Sequence, residues 1–214
     1  MQRLQIAPPR PKCIGVIRCA LVNPTSCSSA ESGALLLAHR LLKADRTYRP
    51  KVMAYQTIQI DCGTIGVISD THGLMRPEAL AALKGAAWII HAGDIGSVEV
   101  LQALQEIAPV TAVRGNNDKG AWADALPETT VVEVGAGSIY VLHDVKSLGR
   151  RPQLAGFRAV IAGHSHRPQL EERDGVLFLN PGSAGPRRFK LPVSVARLHI
   201  QPDAWHAELI TLTV

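Results

Sequence analysis

Short apolar runs alternate with amphipathic stretches through the middle of the chain. Apolar runs rich in β-branched residues predict strands at residues 64–69, 87–91 and 110–113. Helices are predicted between them, from Pro77 to about residue 84 and from Ser97 to about residue 107. Pro favours the first helical position, and Ser is a common N-cap. This alternation predicts a parallel sheet built with right-handed crossover connections.

After Pro127 the pattern changes to one in which strands dominate. Residues 129–134 and 138–142 flank a Gly-Ala-Gly stretch, which predicts a β-hairpin. Four further apolar runs predict strands at residues 158–162, 176–180, 193–200 and 205–213. We therefore expect an α/β protein that forms a four-layer α/β/β/α sandwich, in which two packed mixed sheets are flanked by helices.

The N-terminal segment differs from the rest of the chain in composition. Pro and Ser are frequent in residues 1–29, which favours irregular or disordered chain. A capping-box pattern beginning at Ser28 predicts a helix to about residue 42. We expect residues 1–62 to form a disordered or weakly structured extension and residues 63–214 to form the folded domain.

Two further interpretations of this extension stay open. Its arginine-containing, acid-poor composition is also typical of an organellar transit peptide. Alternatively, Met53 is a second plausible start, eleven residues before the first predicted core strand. Residues 1–52 would then have no role in the fold.

The net charge of +5 is concentrated in the same segment. Residues 1–62 contain nine basic and three acidic residues, whereas the remainder contains 14 basic and 15 acidic residues. The expected domain therefore has no general basic surface, and nucleic acid is not expected as a partner. No apolar run approaches the roughly 18–20 residues that span a bilayer, so no membrane is expected either.

All four cysteines also lie within residues 1–62, at spacings that match no common zinc motif. We therefore expect no disulfide framework in the domain and favour a reducing, cytoplasmic compartment.

Side chains that can bind metal follow several of the predicted strands. Asp70 and His72 come after the first strand and are two positions apart, so their side chains are expected to project the same way. Later strands are followed by Asp94, the Asn116-Asn117-Asp118 cluster, His143, His164 and His166. Because α/β proteins build their sites at the carboxyl ends of strands, we expect one joint metal site.

The ligand types in this set restrict the metal. Carboxylate, carboxamide and imidazole groups without a thiolate suit Mn²⁺, Fe²⁺, Zn²⁺, Co²⁺ or Ni²⁺ better than Ca²⁺ or a structural zinc. Seven ligands are too many for one ion, but they suffice for two ions that share one carboxylate. Two ions about 3.5–4 Å apart form the arrangement that polarises a phosphoryl group and generates a nucleophilic hydroxide.

Taken in order, these motifs resemble those of the calcineurin-like metallophosphoesterases. The motifs are Asp70-x-His72, Gly93-Asp94, Gly115-Asn116-x-Asp118, His143 and Gly163-His164-x-His166. The small size, the Ser-Asp-Thr-His-Gly run and the Asn-Pro-Gly-Ser stretch at residues 180–183 are most similar to the YfcE-type phosphodiesterases. The resemblance extends from about Thr64 to the C-terminus and does not include residues 1–62.

The resemblance implies a role for each ligand. The implied ligands are Asp70, His72 and His166 for one ion, Asn116, His143 and His164 for the other, and Asp94 as the bridge. A bridging hydroxide would attack phosphorus in line. The resemblance also implies two divalent ions, preferably Mn²⁺, with Ni²⁺, Co²⁺, Fe²⁺ or Zn²⁺ as alternatives, and a small phosphoester substrate.

One position departs from the usual family signature. That signature is Gly-Asn-His-Asp, whose His is taken to protonate the leaving oxygen, whereas this chain has Asn117 in its place. A carboxamide does not titrate near neutral pH, which puts turnover of esters with poor leaving groups in question. Asn117 and Asp118 are the candidate catalytic residues, with Asp118 expected to be structural or, alternatively, to supply the proton.

The sequence therefore predicts a metal-dependent phosphoester hydrolase, specifically a phosphodiesterase. The alternative is a non-catalytic scaffold on the same fold, a class that the retromer subunit of this superfamily resembles. All seven ligand positions carry coordinating side chains, which favours the enzyme. A nuclease is disfavoured by the charge of the domain, and a homo-oligomer stays open.

Overall fold

The computed structural model of the 214-residue chain describes residues 19–20, 53–60, 62–135, 137–148, 156–188 and 190–214. The helix expected from Ser28 lies outside the described residues. In chain order the described elements are β1 (Cys19–Ala20), β2 (Met53–Ile58), β3 (Gly63–Ile68), α1 (Pro77–Leu83), β4 (Trp88–His91), α2 (Val98–Gln105), β5 (Val110–Ala112), α3 (Ala121–Asp124), β6 (Thr129–Val134), β7 (Gly137–Leu142), a 3₁₀ turn (Val145–Leu148), β8 (Phe157–Ile161), β9 (Gln169–Arg173), β10 (Val176–Asn180), β11 (Ser194–Ile200) and β12 (Trp205–Thr211).

These strands form two mixed sheets. The first has seven strands in the order β1-β2-β6-β7-β8-β10-β9, and the second has five in the order β12-β11-β3-β4-β5. Strands β3, β4 and β5 are parallel, as the strand–helix alternation predicts, whereas β11 and β12 join the same sheet antiparallel. Strands β6 and β7 form the predicted antiparallel hairpin. The predicted α/β architecture of two packed mixed sheets is therefore confirmed.

The main hydrophobic core lies between the two sheets. It combines inward side chains of the second sheet, such as Val67 and Ile90, with Val132, Val141 and Ile161 from the first. Side chains alternate between the two faces of a strand, so neighbouring residues serve different layers. Ile68 and Ile89, for example, face the helices instead of this core.

Helices α1 and α2 cover the outer face of the second sheet. Leu83 of α1 and Leu104 of α2 are fully buried against that face. Both helices begin where the sequence predicts, since Pro77 is the first residue of α1 and Ser97 is the N-cap of α2. On the outer face of the first sheet, Leu148 of the 3₁₀ turn packs against a smaller cluster that contains Tyr140 and Leu142.

Strand β2 lies before the domain boundary expected at residue 63. It pairs with β6 in parallel over six residues, from Met53 opposite Thr129 to Ile58 opposite Val134. The side chain of Ile58 is 1% exposed in the main core. The folded sheet therefore includes residues that the sequence analysis assigned to the extension.

Two other features were not expected from the sequence. Strand β9 has four polar residues among five, so it lacks the apolar pattern of the other strands, and it pairs with β10 through a turn at Asp174. Cys62, which lies one residue before the expected domain, is disulfide-bonded. Within the described residues, no helix combines the length and the apolar character needed to cross a membrane.

Candidate metal centre

The predicted ligands lie in loops that begin where strands of both sheets end. Asp70 follows β3, Asp94 follows β4 and Asn116 follows β5, all three in the five-stranded sheet. His143 follows β7 and His164 follows β8, both in the seven-stranded sheet. The site therefore occupies one edge of the interface between the sheets, as the rule on strand ends predicts.

Hydrogen bonds between these loops hold them against one another. The backbone N–H of Asp70 donates to the carbonyl of Gly93 at 3.0 Å, and the N–H of His72 donates to the carbonyl of Asp94 at 2.9 Å. Across the sheet interface, the N–H of His164 donates to Oδ2 of Asp70 at 3.0 Å. These bonds fix the loops of Asp70, Asp94 and His164 relative to one another.

Asp70, His72 and His166 form one cluster of candidate ligands. Nε2 of His166 lies 3.2 Å from Oδ1 of Asp70 and 3.3 Å from Nε2 of His72. Asp70 and His166 are buried, and His72 is partly exposed. These three residues are the set that the family resemblance implies for one ion.

Asn116, His143 and His164 form the second cluster. Oδ1 of Asn116 lies 3.1 Å from Nε2 of His143 and 3.0 Å from Nδ1 of His164. Nδ1 of His143 lies 2.7 Å from the carbonyl of Ala92, to which it can donate. That hydrogen bond leaves the lone pair of Nε2 available for a metal.

Asp94 lies between the two clusters. Its Oδ2 is 3.4 Å from Nε2 of His143 and 3.9 Å from Nε2 of His72. Asp70, Asp94 and His143 also meet as a group of possible ligands. One carboxylate of the chain therefore reaches histidines of both clusters.

Five of the ligands have backbone conformations that side-chain-bearing residues rarely adopt. Among the described residues, six non-glycine residues have a positive φ, and the sixth is Asp174 in the β9–β10 turn. The five ligands are Asp70 (55°), His72 (47°), Asp94 (54°), His164 (66°) and His166 (57°). Such conformations cost of order 1–3 kcal/mol each and cluster at functional sites. Because these conformations are concentrated at the ligands, we infer that they lower the stability of the fold but orient the ligand side chains.

Two glycines permit the close approach of the ligand loops. A Cβ at Gly163 would collide with Oγ of Ser69 and lie 2.8 Å from Oδ2 of Asp70. A Cβ at Gly93, whose φ is +90°, would lie 2.6 Å from Nδ1 of His143. Any side chain at either position would displace a ligand.

The donor set fits divalent transition metals. Oδ1 of Asp70 and Nδ1 of His166 are buried without a hydrogen-bond partner. Leaving such groups unsatisfied costs roughly 1–3 kcal/mol each. For Oδ1 of Asp70, which faces Nε2 of His166 at 3.2 Å, a cation would remove that cost. A mixed set of carboxylate, carboxamide and imidazole groups is typical of such ions.

The charges in the site also favour cation binding. Burial raises the pKa of Asp94, but hydrogen bonds from His143 and Asn117 outweigh it and hold that pKa well below its usual value. Burial lowers the pKa of His143, but the hydrogen bonds to Asp94 and to the carbonyl of Ala92, together with the negative charges of Asp70 and Asp94, outweigh burial and raise the net pKa. Burial lowers the pKa of His72. Asp94 is therefore an anion at neutral pH.

Asn117 and Asp118 both contact the loop of Asp94. The backbone N–H of Asn117 donates to Oδ1 of Asp94 at 2.8 Å, and its side-chain amide donates to Oδ2 at 2.6 Å. The two carboxylate oxygens of Asp118 accept the backbone N–H groups of Gly96 and Gly115, each at 2.8 Å. Asn117 therefore contacts a candidate ligand directly, whereas Asp118 joins two ligand loops.

A series of buried hydrogen bonds behind the site includes Thr71, which was not among the predicted site residues. Nδ1 of His91 accepts the N–H of Gly93 at 3.2 Å, so Nε2 carries the proton and donates to Oγ1 of Thr71 at 2.9 Å. Thr71 in turn donates to the carbonyl of Ile95 at 2.8 Å. Burial lowers the pKa of His91 to about 4, which keeps this ring neutral. The only sequence signal for Thr71 is its position between Asp70 and His72.

The calcineurin-like phosphoesterase superfamily model matches residues 64–203. The chain belongs to the calcineurin-like phosphoesterase superfamily. Its members are metal-dependent, and the predicted resemblance is confirmed. The match begins one residue after the start of β3 and includes all seven candidate ligands.

Two relatives within the superfamily illustrate the similarity. The chain is 35% identical over 158 residues to a probable metallophosphoesterase of Methanothermobacter thermautotrophicus. The aligned region covers 68% of this chain and 91% of the relative. It is 26% identical over 160 residues to the phosphodiesterase YfcE of Escherichia coli, and this alignment covers 61% of this chain and 84% of YfcE.

Solved structures of other proteins share the fold. A predicted phosphoesterase from Streptococcus pneumoniae superposes with a TM-score of 0.55 at 27% identity and covers 70% of this chain and 90% of its own. Vps29 of Chaetomium thermophilum superposes with a TM-score of 0.58 at 22% identity, over 71% of this chain and 98% of its own. The second likeness concerns the fold alone.

Proposed function

We propose that this chain is a dinuclear metal-dependent phosphoesterase, specifically a phosphodiesterase. The observation that supports this most is the position of Asp94, whose Oδ2 lies within 3.4 and 3.9 Å of histidines from both ligand clusters. A carboxylate in this position can bridge two ions. The relatives named phosphodiesterase and metallophosphoesterase support the same reaction class.

Each ligand would serve one of the two ions. The proposed ligands are Asp70, His72 and His166 for one ion, Asn116, His143 and His164 for the other, and Asp94 for both. When bound, two such ions polarise a phosphoryl group and lower the pKa of water so that it becomes a nucleophile at neutral pH. We propose Mn²⁺ as the working ion, a small phosphoester as the substrate and the cytoplasm as the compartment.

The remaining polar residues hold this arrangement. Asn117 donates two hydrogen bonds to Asp94 and so orients both carboxylate oxygens. Asp118 fixes the loops that carry Asp94 and Asn116, because its two oxygens bind Gly96 and Gly115. We propose a positioning role for Asp118 and no general-acid role for Asn117, which has no titratable proton.

Hydrolysis of bis-p-nitrophenyl phosphate tests the proposal. The purified protein should be inactive after treatment with EDTA and should regain activity on addition of Mn²⁺, with two metal equivalents bound by mass spectrometry under native conditions. Asp94→Ala should abolish activity and lower the metal content below one equivalent. An active Asp94→Ala variant with two full equivalents would contradict the bridging role.

The scaffold alternative has a distinct outcome in the same experiment. Vps29 shares the fold of this chain, so the fold alone does not decide between the two functions. A metal-loaded protein that hydrolyses neither diesters nor monoesters in a panel with added Mn²⁺ would favour the scaffold. Because all seven ligand positions are filled by coordinating side chains, we expect turnover.

A further inference from the structure

The loop after β10 places the positively charged side chain of an arginine at the edge of the metal centre. The N–H of Ala184 donates to the carbonyl of Ser69 at 3.1 Å, and Oγ of Ser183 donates to the carbonyl of Asp70 at 2.9 Å. A Cβ at Gly185 would collide with the carbonyl of Thr71. Residues 183–185 are therefore packed directly on the strand end that bears the first ligands.

Arg188 is the residue that this loop presents to the ligands. Its Nη2 lies 3.5 Å from Nε2 of His72, and its side chain is exposed. The loop is braced by Arg76, whose Nε donates to the carbonyl of Gly185 at 3.3 Å. Arg188 is thus directed at one of the two candidate metal sites from the solvent side.

Among the described arginines, Arg188 is the one whose guanidinium lies beside a candidate metal ligand. Arg114 pairs with Asp124 and Glu128, and Arg173 pairs with Glu171. Within the described part of the chain, Arg188 has no carboxylate partner, and its recorded contact is with His72. A guanidinium beside a ligand of a divalent ion is favourable only when an anion lies between the two cations.

We propose that Arg188 binds the phosphoryl oxygens of the substrate at the edge of the metal centre. This inference rests on the proposed function, since it assumes that a phosphoester occupies the site. His72 would offer the Nε2 lone pair to a bound metal, and the guanidinium of Arg188, which now contacts that lone pair, would then be free to donate to a phosphoryl oxygen. Arginine suits this task because its planar fork of N–H donors matches phosphate geometry.

The charge of the bound group should determine how much Arg188 contributes. A phosphomonoester dianion or inorganic phosphate presents more negative charge to the guanidinium than a phosphodiester monoanion does. Arg188 therefore makes the site more tolerant of doubly charged phosphoryl groups. Removal of the Arg188 side chain should therefore weaken the binding of doubly charged groups more than the binding of singly charged ones.

Calorimetric titration of the Mn²⁺-loaded full chain with inorganic phosphate tests this role. Arg188→Ala should weaken phosphate binding about tenfold, Arg188→Lys should weaken it less, and Arg187→Ala should change it less than about twofold. Arg187 is the matched control, because it is the adjacent exposed arginine. Equal phosphate affinity in the Arg188→Ala and Arg187→Ala variants would overturn the proposal.

Mn²⁺ titration in phosphate-free buffer gives a second readout. Arg188→Ala should bind Mn²⁺ as tightly as the wild type or up to a few-fold more tightly, because a nearby like charge is removed. Weaker Mn²⁺ binding would show that Arg188 supports the ligands and not the substrate, and would overturn the proposal. A wild-type protein that binds Mn²⁺ and phosphate but hydrolyses no ester would contradict the proposed function alone.

Kinetics with two substrates complete the test. Arg188→Ala should lower kcat/KM about tenfold for p-nitrophenyl phosphate and about two- to threefold for bis-p-nitrophenyl phosphate, mainly through KM. Losses of equal size for the two esters would contradict the dependence on charge.

Discussion

At the scale of single residues, Asn117 occupies the position at which the superfamily signature usually has a His. Its side-chain amide donates to Oδ2 of Asp94 at 2.6 Å, so the residue faces the candidate bridge. Both oxygens of the neighbouring Asp118 already accept backbone N–H groups. The loop therefore contains no obvious proton donor for a leaving group.

We expect the rate of hydrolysis to depend steeply on the pKa of the leaving group. General acid catalysis contributes about 10²–10⁴-fold, and its absence matters most for alkoxide leaving groups. Asn117→His should raise turnover of alkyl esters more than turnover of aryl esters. A series of phosphodiesters with graded leaving groups, assayed at saturating Mn²⁺ with both proteins, measures the two slopes. A shallow slope in the wild type would show that another group supplies the proton.

The pKa of His91, lowered to about 4 by burial, makes the stability of the fold depend on pH. The unfolded chain binds this proton near pH 6.5 and the folded chain only near pH 4, so the folded state loses stability as the pH falls through this window. The loss amounts to roughly 3 kcal/mol in full. Urea unfolding in EDTA between pH 7 and pH 4 should show this slope.

His91→Gln should remove most of that slope, because a carboxamide does not titrate. His206→Gln, which changes an exposed histidine, should leave the slope unchanged. The prediction fails if the two variants show the same dependence on pH.

The sequence is informative about ligand identity because the chemistry of a metal ligand resides in its side chain. Asp70 and His72 can therefore be recognised at the end of an apolar run. Their positive φ angles could not be predicted, since only the packing of several loops together makes such a conformation tolerable. The contact between Arg188 and His72 likewise joins residues 116 positions apart, which no local pattern reveals.

At the scale of elements, a buried polar link joins the two sheets. Nε1 of Trp88 in β4 donates to Oγ1 of Thr111 in β5 at 2.8 Å, and Thr111 donates to the side-chain oxygen of Gln56 in β2. Trp88 and Thr111 are both buried. The link fixes β2 against the far edge of the other sheet.

Thr111→Val should destabilise the protein by about 1–3 kcal/mol, because the change keeps the shape of the side chain and leaves the buried indole N–H of Trp88 and the partly buried side-chain oxygen of Gln56 without this partner. Urea unfolding measures the change. Thr57→Val on the exposed side of β2 is the matched control and should cost less than about 0.5 kcal/mol. Equal effects of the two substitutions would show that the link adds nothing to stability.

Strands with a buried face could be predicted because burial imposes an apolar pattern. Both faces of β3 and β4 are covered, so these strands are continuous apolar runs. Strand β9 is an edge strand with mostly exposed residues, and its polar sequence satisfies no such constraint. Strand β2 was not recognised because its sequence, Met-Ala-Tyr-Gln-Thr-Ile, is neither a continuous apolar run nor a strict alternation of apolar and polar residues.

At the scale of the whole molecule, the seven-stranded sheet includes β2, which precedes residue 63. Strand β2 begins at Met53 and pairs along its whole length with β6, and Ile58 and Ile60 are 1% and 3% exposed. The strand before it, β1, pairs with β2 through two residues only. The sheet interactions that the structure describes therefore become extensive at Met53, which is also the second plausible start.

Truncation separates the contribution of β2 from that of the preceding residues. A chain of residues 53–214 should melt within about 3 °C of the full chain under reducing conditions, which exclude an effect of the disulfide at Cys62.

A chain of residues 63–214 loses two buried Ile side chains, each contributing about 1.5–3 kcal/mol, and exposes the edge of β6. It should melt at least about 6–12 °C lower or fail to fold, since each kcal/mol shifts Tm by about 2–4 °C in a domain of this size. If residues 53–214 were destabilised as much as residues 63–214, residues 1–52 would have a role in the fold, and the interpretation of that segment as an unstructured extension would be wrong.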